Sequence, residues 1–147
     1  MTQKTMKTLK EAKHIRVFLI QANKNIAKLT KIVEIAHEYF EKKEPLLIKV
    51  PHKEAIEYVD LLLWRHPIES FLPHAVKDTP CDDLIVITSS SNNPNSARTI
   101  FNLTSEPIKD EFFIRIYEFE GTSSSPNKKK NDHYEIYKEK GCTVTLI

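Results

Sequence analysis

Residues 15–20 read Ile-Arg-Val-Phe-Leu-Ile, and residues 46–50 read Leu-Leu-Ile-Lys-Val. Both are short β-branched and apolar runs of strand length. The apolar residues between them recur at helical spacing, which predicts a helix ending near Lys42 and capped by Asn23 or Asn25. A strand, a helix and a strand in this order predict a parallel pair joined by a right-handed crossover.

The rest of the chain continues this alternation. A second helix is predicted between Pro51 and Trp64, and a last helix over 128–140 with Gly141 as its C-terminal cap. Further strands are predicted over 83–88, 100–103, 112–119 and 143–147. The predicted buried stripe of the first helix comprises Ile26, Leu29, Ile32, Val33, Ala36 and Phe40, and that of the second Ala55, Tyr58, Val59 and Leu62 or Leu63. This order predicts an α/β fold with a mostly parallel sheet.

Length and composition restrict the function classes. A chain of 147 residues is one domain by length, here 14–147, preceded by a polar N-terminal extension over 1–13. The net charge is only +2, so any basic binding site has to be local. Cys81 and Cys142 fit no metal-ligand spacing, and no apolar run is long enough for a membrane span. We therefore expect a reduced, cytoplasmic protein.

The residues give little support to cofactor chemistry. The two glycines, Gly121 and Gly141, do not follow the first strand, so a dinucleotide or P-loop site is not expected. His66, Glu69 and His74 are candidates for metal ligands or a proton-transfer pair, but prolines separate them, and structural roles are favoured. The sequence predicts no cofactor, no metal and no catalytic residue.

Residues 61–74 contain the one Trp of the chain, two of its eight prolines and two of its six histidines. Pro67 and Pro73 are incompatible with a regular helix, so a rigid irregular segment is expected after Trp64. Trp64 and Phe71 fit two roles equally well on this evidence. They either close the core under the second helix or serve as anchors of a protein interface.

This stretch resembles a known family. Leu63-Trp64, Pro67, Glu69-Ser70-Phe71 and Pro73-His74 are similar to the signature of the chi subunit of bacterial DNA polymerase III. The resemblance implies a Rossmann-like three-layer sandwich and a non-catalytic protein. It also implies that a partner, the psi subunit, docks on Trp64 and Phe71, within a contact segment that includes Pro67, Pro73 and His74.

The resemblance implies a second site near the C-terminus. In the chi family this region binds the acidic C-terminal tail of single-stranded-DNA-binding protein. The residues expected to bind such a tail here are Lys128, Lys129, Lys130, Tyr134, Tyr137 and Lys138. The family signature has an Arg where this chain has Asn131, and a lysine in its place is a point charge rather than a bidentate fork.

The resemblance therefore predicts an adaptor that links the clamp loader, through a psi-like subunit, to single-stranded-DNA-binding protein, with indirect DNA contact and no membrane. A helicase is a further possible partner. The first alternative is a nucleic-acid-binding module in which the lysines of 4–13 and 128–130 contact phosphate. The second alternative is a small hydrolase that uses His66 or His74.

Overall fold

The computed structural model of the protein describes residues 14–65, 71–120 and 132–147. Several predicted features lie outside these residues. They are the extension over 1–13, the segment 66–70 with Pro67, His66 and Glu69, and the basic run Lys128, Lys129 and Lys130 with Asn131.

The described residues form a seven-stranded sheet and three helices. The strands are β1 (Arg16–Ile20), β2 (Leu46–Lys49), β3 (Ala75–Val76), β4 (Ile85–Thr88), β5 (Thr99–Asn102), β6 (Arg115–Phe119) and β7 (Thr143–Leu146). The helices are α1 (Asn25–Lys42), α2 (Lys53–Arg65) and α3 (Asp132–Glu139). The spatial order of the strands is β3-β4-β2-β5-β6-β1-β7, and every neighbouring pair is parallel.

This architecture confirms the predicted α/β sandwich with a mostly parallel sheet. The central strands β2, β4 and β5 are buried on both faces, which explains why they are nearly continuous apolar runs. Strand β3 was not predicted, because two residues directly after a proline-rich stretch are too short to give a strand pattern. No helix of the described residues is long and apolar enough to cross a membrane.

The sheet separates two apolar cores. Alternate residues of each strand point to opposite faces, as Leu46 and Leu47 illustrate in β2. On one face, α1 and α2 pack over the core that contains Leu46. On the other face, Tyr137 of α3 joins the core that contains Leu47. The three layers therefore place α2 and α3 on opposite sides of the sheet.

Two helix ends are formed by backbone geometry. The predicted asparagine cap of α1 is wrong, because Lys24 is the N-cap residue and makes no side-chain cap bond, while Asn25 is already helical. The C-cap residue of the same helix is Lys43, whose φ of 59° is left-handed. The predicted cap at Gly141 is confirmed: its φ is +86°, and its N–H donates to the carbonyl of Lys138 at 3.0 Å.

Two residues assigned to buried stripes are exposed. Ile26 lies in the first turn of α1, before the buried residues of that helix begin at Ile32. Tyr58 lies on the flank of α2, one position before the buried Val59, and 58% of its surface is exposed. Helical spacing marks the side of a helix that faces the core, but it does not fix the width of the covered stripe.

Candidate partner-binding surfaces

Trp64 lies in the last turn of α2 with 39% of its surface exposed. Leu62 and Leu63 are buried and fix this turn against the sheet, which directs the indole of Trp64 outward. The indole also packs against the ring of His74, with 4.4 Å between the ring centroids and an angle of 45° between the planes. Trp64 is therefore a surface residue whose indole is supported by His74, and it is not part of the core.

The side chain of His74 is fully buried. Its Nε2 lies 2.6 Å from the Asp60 Oδ1, and its Nδ1 lies 2.6 Å from the carbonyl oxygen of Leu72. Both partners are acceptors, so an imidazole with one N–H donates to one of them and an imidazolium to both, and in either form the ring lies between Asp60 and Leu72. This arrangement links the segment after α2 back to the helix and positions the indole of Trp64.

Phe71 presents its ring to solvent, with 61% of its surface exposed. Its φ is +44°, a left-handed conformation that costs free energy in a residue with a bulky side chain. The next residue, Leu72, is buried, and its N–H donates to the carbonyl of Leu63 at 3.3 Å. The backbone thus turns Leu72 into the core and Phe71 outward, while Pro73 beside them is exposed.

Two further apolar residues of α2 are exposed and were missed by the sequence analysis. Tyr58 was assigned to the buried stripe, and Leu61, with 48% of its surface exposed, was assigned to no site. Among the described residues, nine large apolar side chains are exposed, and five of them lie between Tyr58 and Val76. The sequence does contain a signal for these two residues. Apolar side chains recur every three positions from Tyr58 through Leu61 to Trp64.

The predicted tail-binding residues on α3 divide between surface and core. Tyr134 is half-buried, and the Nζ of Lys138 lies 5.3 Å from the centroid of its ring. Tyr137 is fully buried. Its hydroxyl donates to Glu118 and accepts the N–H of Ile108 at 2.7 Å. The side chain of Tyr137 therefore holds α3 on the sheet and does not line an open surface.

A buried polar cluster lies beneath α3 and was not predicted. The carboxylate of Glu118, on β6, accepts hydrogen bonds from Tyr137, from His133 at 2.5 Å and from the side-chain amide of Asn102 at 2.8 Å. The other ring nitrogen of His133 lies 2.9 Å from the carbonyl oxygen of Ser105. Burial, with the nearby Glu118 charge, raises the pKa of Tyr137. The cluster fixes the orientation of α3.

A cavity of about 530 Å³ opens between the first turns of α1 and α2. Its walls are mostly apolar, and they include Leu29, Val59, Leu103 and Phe119 with Tyr58 at one side. None of the described residues of the 61–74 stretch lines it, so the cavity does not support the hydrolase alternative. The described residues contain no cluster of side chains suited to hold a metal ion.

The fold and the exposed aromatic residues at the end of α2 are typical of an α/β protein that acts through contacts with other proteins. A family model, that of the DNA polymerase III chi subunit, HolC, matches residues 13–145. The chain belongs to this family, in agreement with the resemblance of residues 63–74. No curated protein matches the chain. Members of the family are accessory, non-catalytic subunits of DNA polymerase III, so the chain has an accessory role in DNA replication.

Proposed function

We propose that this protein is a cytoplasmic adaptor of the bacterial replication machinery with two protein-binding surfaces. The first binds a psi-like subunit of the clamp-loader assembly at Trp64 and Phe71. The second binds the acidic C-terminal tail of single-stranded-DNA-binding protein at α3 and the basic run before it. The observation that carries the proposal is the pair of exposed aromatic side chains at the end of α2, each held by its own backbone or packing constraint.

The geometry around Trp64 and Phe71 favours a binding role. Exposed aromatic residues are the anchors that supply most of the free energy of binding in protein interfaces. Anchors that are already fixed lose little conformational entropy when the partner arrives. The indole packs against His74, and the left-handed backbone of Phe71 sets the outward direction of its side chain, so both residues are presented to a partner in advance.

The second surface is supported by charge and by aromatic area. Lys138 and Tyr134 lie together on α3, close to the predicted lysines 128–130 in the sequence. A positive charge beside an aromatic ring suits an acidic peptide that ends in a carboxylate and an apolar side chain. Tyr137 contributes to this surface indirectly, by fixing α3.

Two separate surfaces on one rigid sheet explain how the protein acts without catalysis. A partner bound at each surface is held near the other at high effective concentration. The clamp loader is then tethered to DNA that is already coated, and the adaptor needs no direct contact with DNA.

Co-purification with the psi subunit of the same polymerase tests the proposal. We expect wild type to form a stable complex, and Trp64→Ala and Phe71→Ala each to weaken it at least tenfold because an anchor is lost. Phe112→Ala, which removes another exposed aromatic ring, is the matched control and leaves the affinity unchanged. A chain that binds naked single-stranded DNA instead, with a steep dependence on salt, would favour the nucleic-acid module.

A further inference from the structure

The exposed apolar surface of α2 is longer than the pair of proposed anchors. Tyr58, Leu61 and Trp64 are spaced three residues apart, and 58%, 48% and 39% of their surfaces are exposed. Residues three apart on a helix lie in one row, the kind of row that packs into the groove of another helix. We call these three residues the α2 ridge.

The size of a stable interface requires more than two anchors. An aromatic side chain buries about 150–250 Å² in total. Because Trp64 and Phe71 are only partly exposed, together they have roughly 200 Å² left to bury. A stable interface covers about 800 Å² on each partner. The contact surface therefore extends well beyond these two rings.

Among the residues that the structure describes, the α2 ridge is the larger apolar continuation of that surface. In the other direction along the chain, Val76 is exposed, but the polar residues Lys77 and Asp78 follow it directly. Along α2, Leu61 and Tyr58 carry the apolar surface back to the cavity, where Tyr58 forms part of the wall.

The charges beside the ridge indicate the composition of its partner. Glu57 and Glu54 are exposed on α2 next to Tyr58, and the carboxylate of Asp60 lies beside Leu61 and is partly exposed. These carboxylates make the middle of this flank acidic, although His74 accompanies Asp60, and the exposed Lys53 and Arg65 lie at the two ends of the helix. A complementary segment carries basic residues at its edges.

We propose that the psi-like partner contacts the whole α2 ridge through an amphipathic helix, whose apolar residues recur every three or four positions between flanking lysines or arginines. This inference rests on the proposed function, because it concerns the same partner. It goes beyond that function in assigning Leu61 and Tyr58 to the interface, together with acidic flanks that select a basic segment.

Affinity measurements with the purified psi subunit test the inference. We expect Leu61→Glu to weaken binding at least tenfold, since it places a charge at the centre of the buried row, and Tyr58→Glu to weaken it less. The control is Leu146→Glu on β7, because Leu146 is also a leucine with 48% of its surface exposed. That variant retains the wild-type affinity within twofold, and circular dichroism verifies that all variants are folded.

A charge variant tests the composition of the partner. Glu57→Lys lowers the affinity in low salt, and the difference from wild type becomes small at about 0.5 M salt, where exposed charges are screened. If Glu57→Lys bound the psi subunit in low salt as tightly as wild type does, the proposal that the partner segment carries basic residues would be contradicted.

The outcomes separate this inference from the proposed function. If Trp64→Ala lost binding while Leu61→Glu and Tyr58→Glu kept the wild-type affinity, the α2 ridge would not be part of the interface. The proposed adaptor function would still stand. Equal losses in Leu61→Glu and Leu146→Glu would also overturn it. Wild-type protein that does not bind the psi subunit would overturn both.

Discussion

The ring of His74 packs against the indole of Trp64 while both of its nitrogens are bound, one to Asp60 and the other to the carbonyl of Leu72. A buried histidine thus supports the exposed aromatic residue of the proposed interface. We predict that His74→Ala lowers the free energy of unfolding by about 1–3 kcal/mol, because the hydrogen bonds and the packing are lost.

The same substitution has an optical consequence. Trp64 is the one tryptophan of the chain, so tryptophan emission, excited selectively over that of the five tyrosines, reports the surroundings of Trp64 alone. His74→Ala shifts the emission to longer wavelength and weakens psi binding, whereas His52→Ala, at an exposed histidine, changes neither. An unchanged emission spectrum would contradict the supporting role of His74.

Phe71 combines a strained backbone with an exposed ring. We predict that Phe71→Asn keeps or raises the stability by up to about 1 kcal/mol, because asparagine adopts a left-handed conformation at less cost. The same variant loses affinity for the psi subunit. Urea unfolding and a binding titration measure the two effects. Phe112→Asn is the control for the loss of an exposed aromatic ring, because Phe112 has no positive φ. A lower stability of Phe71→Asn than of wild type would contradict the argument from backbone strain.

The proposed tail site is tested with a fluorescently labelled acidic peptide. We predict micromolar binding to wild type by fluorescence anisotropy, a marked loss in the triple variant Lys128→Ala, Lys129→Ala, Lys130→Ala, and a smaller loss in Lys138→Ala. The affinity falls as salt rises because the attraction is partly between exposed charges. Binding that is insensitive to salt between about 50 and 500 mM would count against this site.

The hydroxyl of Tyr137 has a structural role that can be separated from tail binding. Tyr137→Phe leaves the Ile108 N–H without its partner and removes a donor to Glu118. We predict a loss of about 1–3 kcal/mol in the free energy of unfolding. Tail affinity, measured where the variant is folded, stays within twofold. Tyr134→Phe is the control and retains its stability, while a loss of tail affinity in Tyr137→Phe without any loss of stability would indicate direct contact with the tail.

Asp78 supplies a pH-dependent contribution to stability. Hydrogen bonds from the hydroxyls of Thr88 and Ser90, at 2.6 and 3.0 Å, hold the pKa of Asp78 below its usual value. A lowered pKa stabilises the folded protein above the unfolded pKa of about 3.9, and the effect is lost as the pH falls through the folded pKa. Asp78→Asn is therefore less stable than wild type at neutral pH.

Denaturant unfolding at several pH values checks this dependence. The difference between wild type and Asp78→Asn narrows below about pH 4, as the wild-type carboxylate becomes protonated. Asp82→Asn is the matched control for the loss of a nearby exposed carboxylate. A difference that is constant down to about pH 2 would contradict the assignment.

Local patterns were sufficient for most of the fold, because the strands are apolar runs and α1 has regular helical spacing. The failures have physical causes. The cap of α1 depends on the backbone conformation of Lys24, which no side-chain preference revealed. The outward orientation of Phe71 depends on a left-handed φ that its residue type disfavours.

The two proposed surfaces were predictable to different degrees. Trp64 and Phe71 lie in a dense motif, and the structure displays both rings at the surface. On α3, the spacing of three residues could not distinguish the half-buried Tyr134 from the buried Tyr137. That difference comes from Glu118 and Ile108, which are distant in the sequence and meet Tyr137 only in the folded chain.

The sheet that separates α2 from α3 has a thermodynamic consequence. The residues named for the two surfaces do not overlap, and a complete layer of strands lies between the two helices. We expect that occupancy of one surface leaves the dissociation constant at the other unchanged, with a coupling free energy close to zero, because the two surfaces share no residue. The proposed ternary complex would then assemble in either order, and each contact could be released without weakening the other.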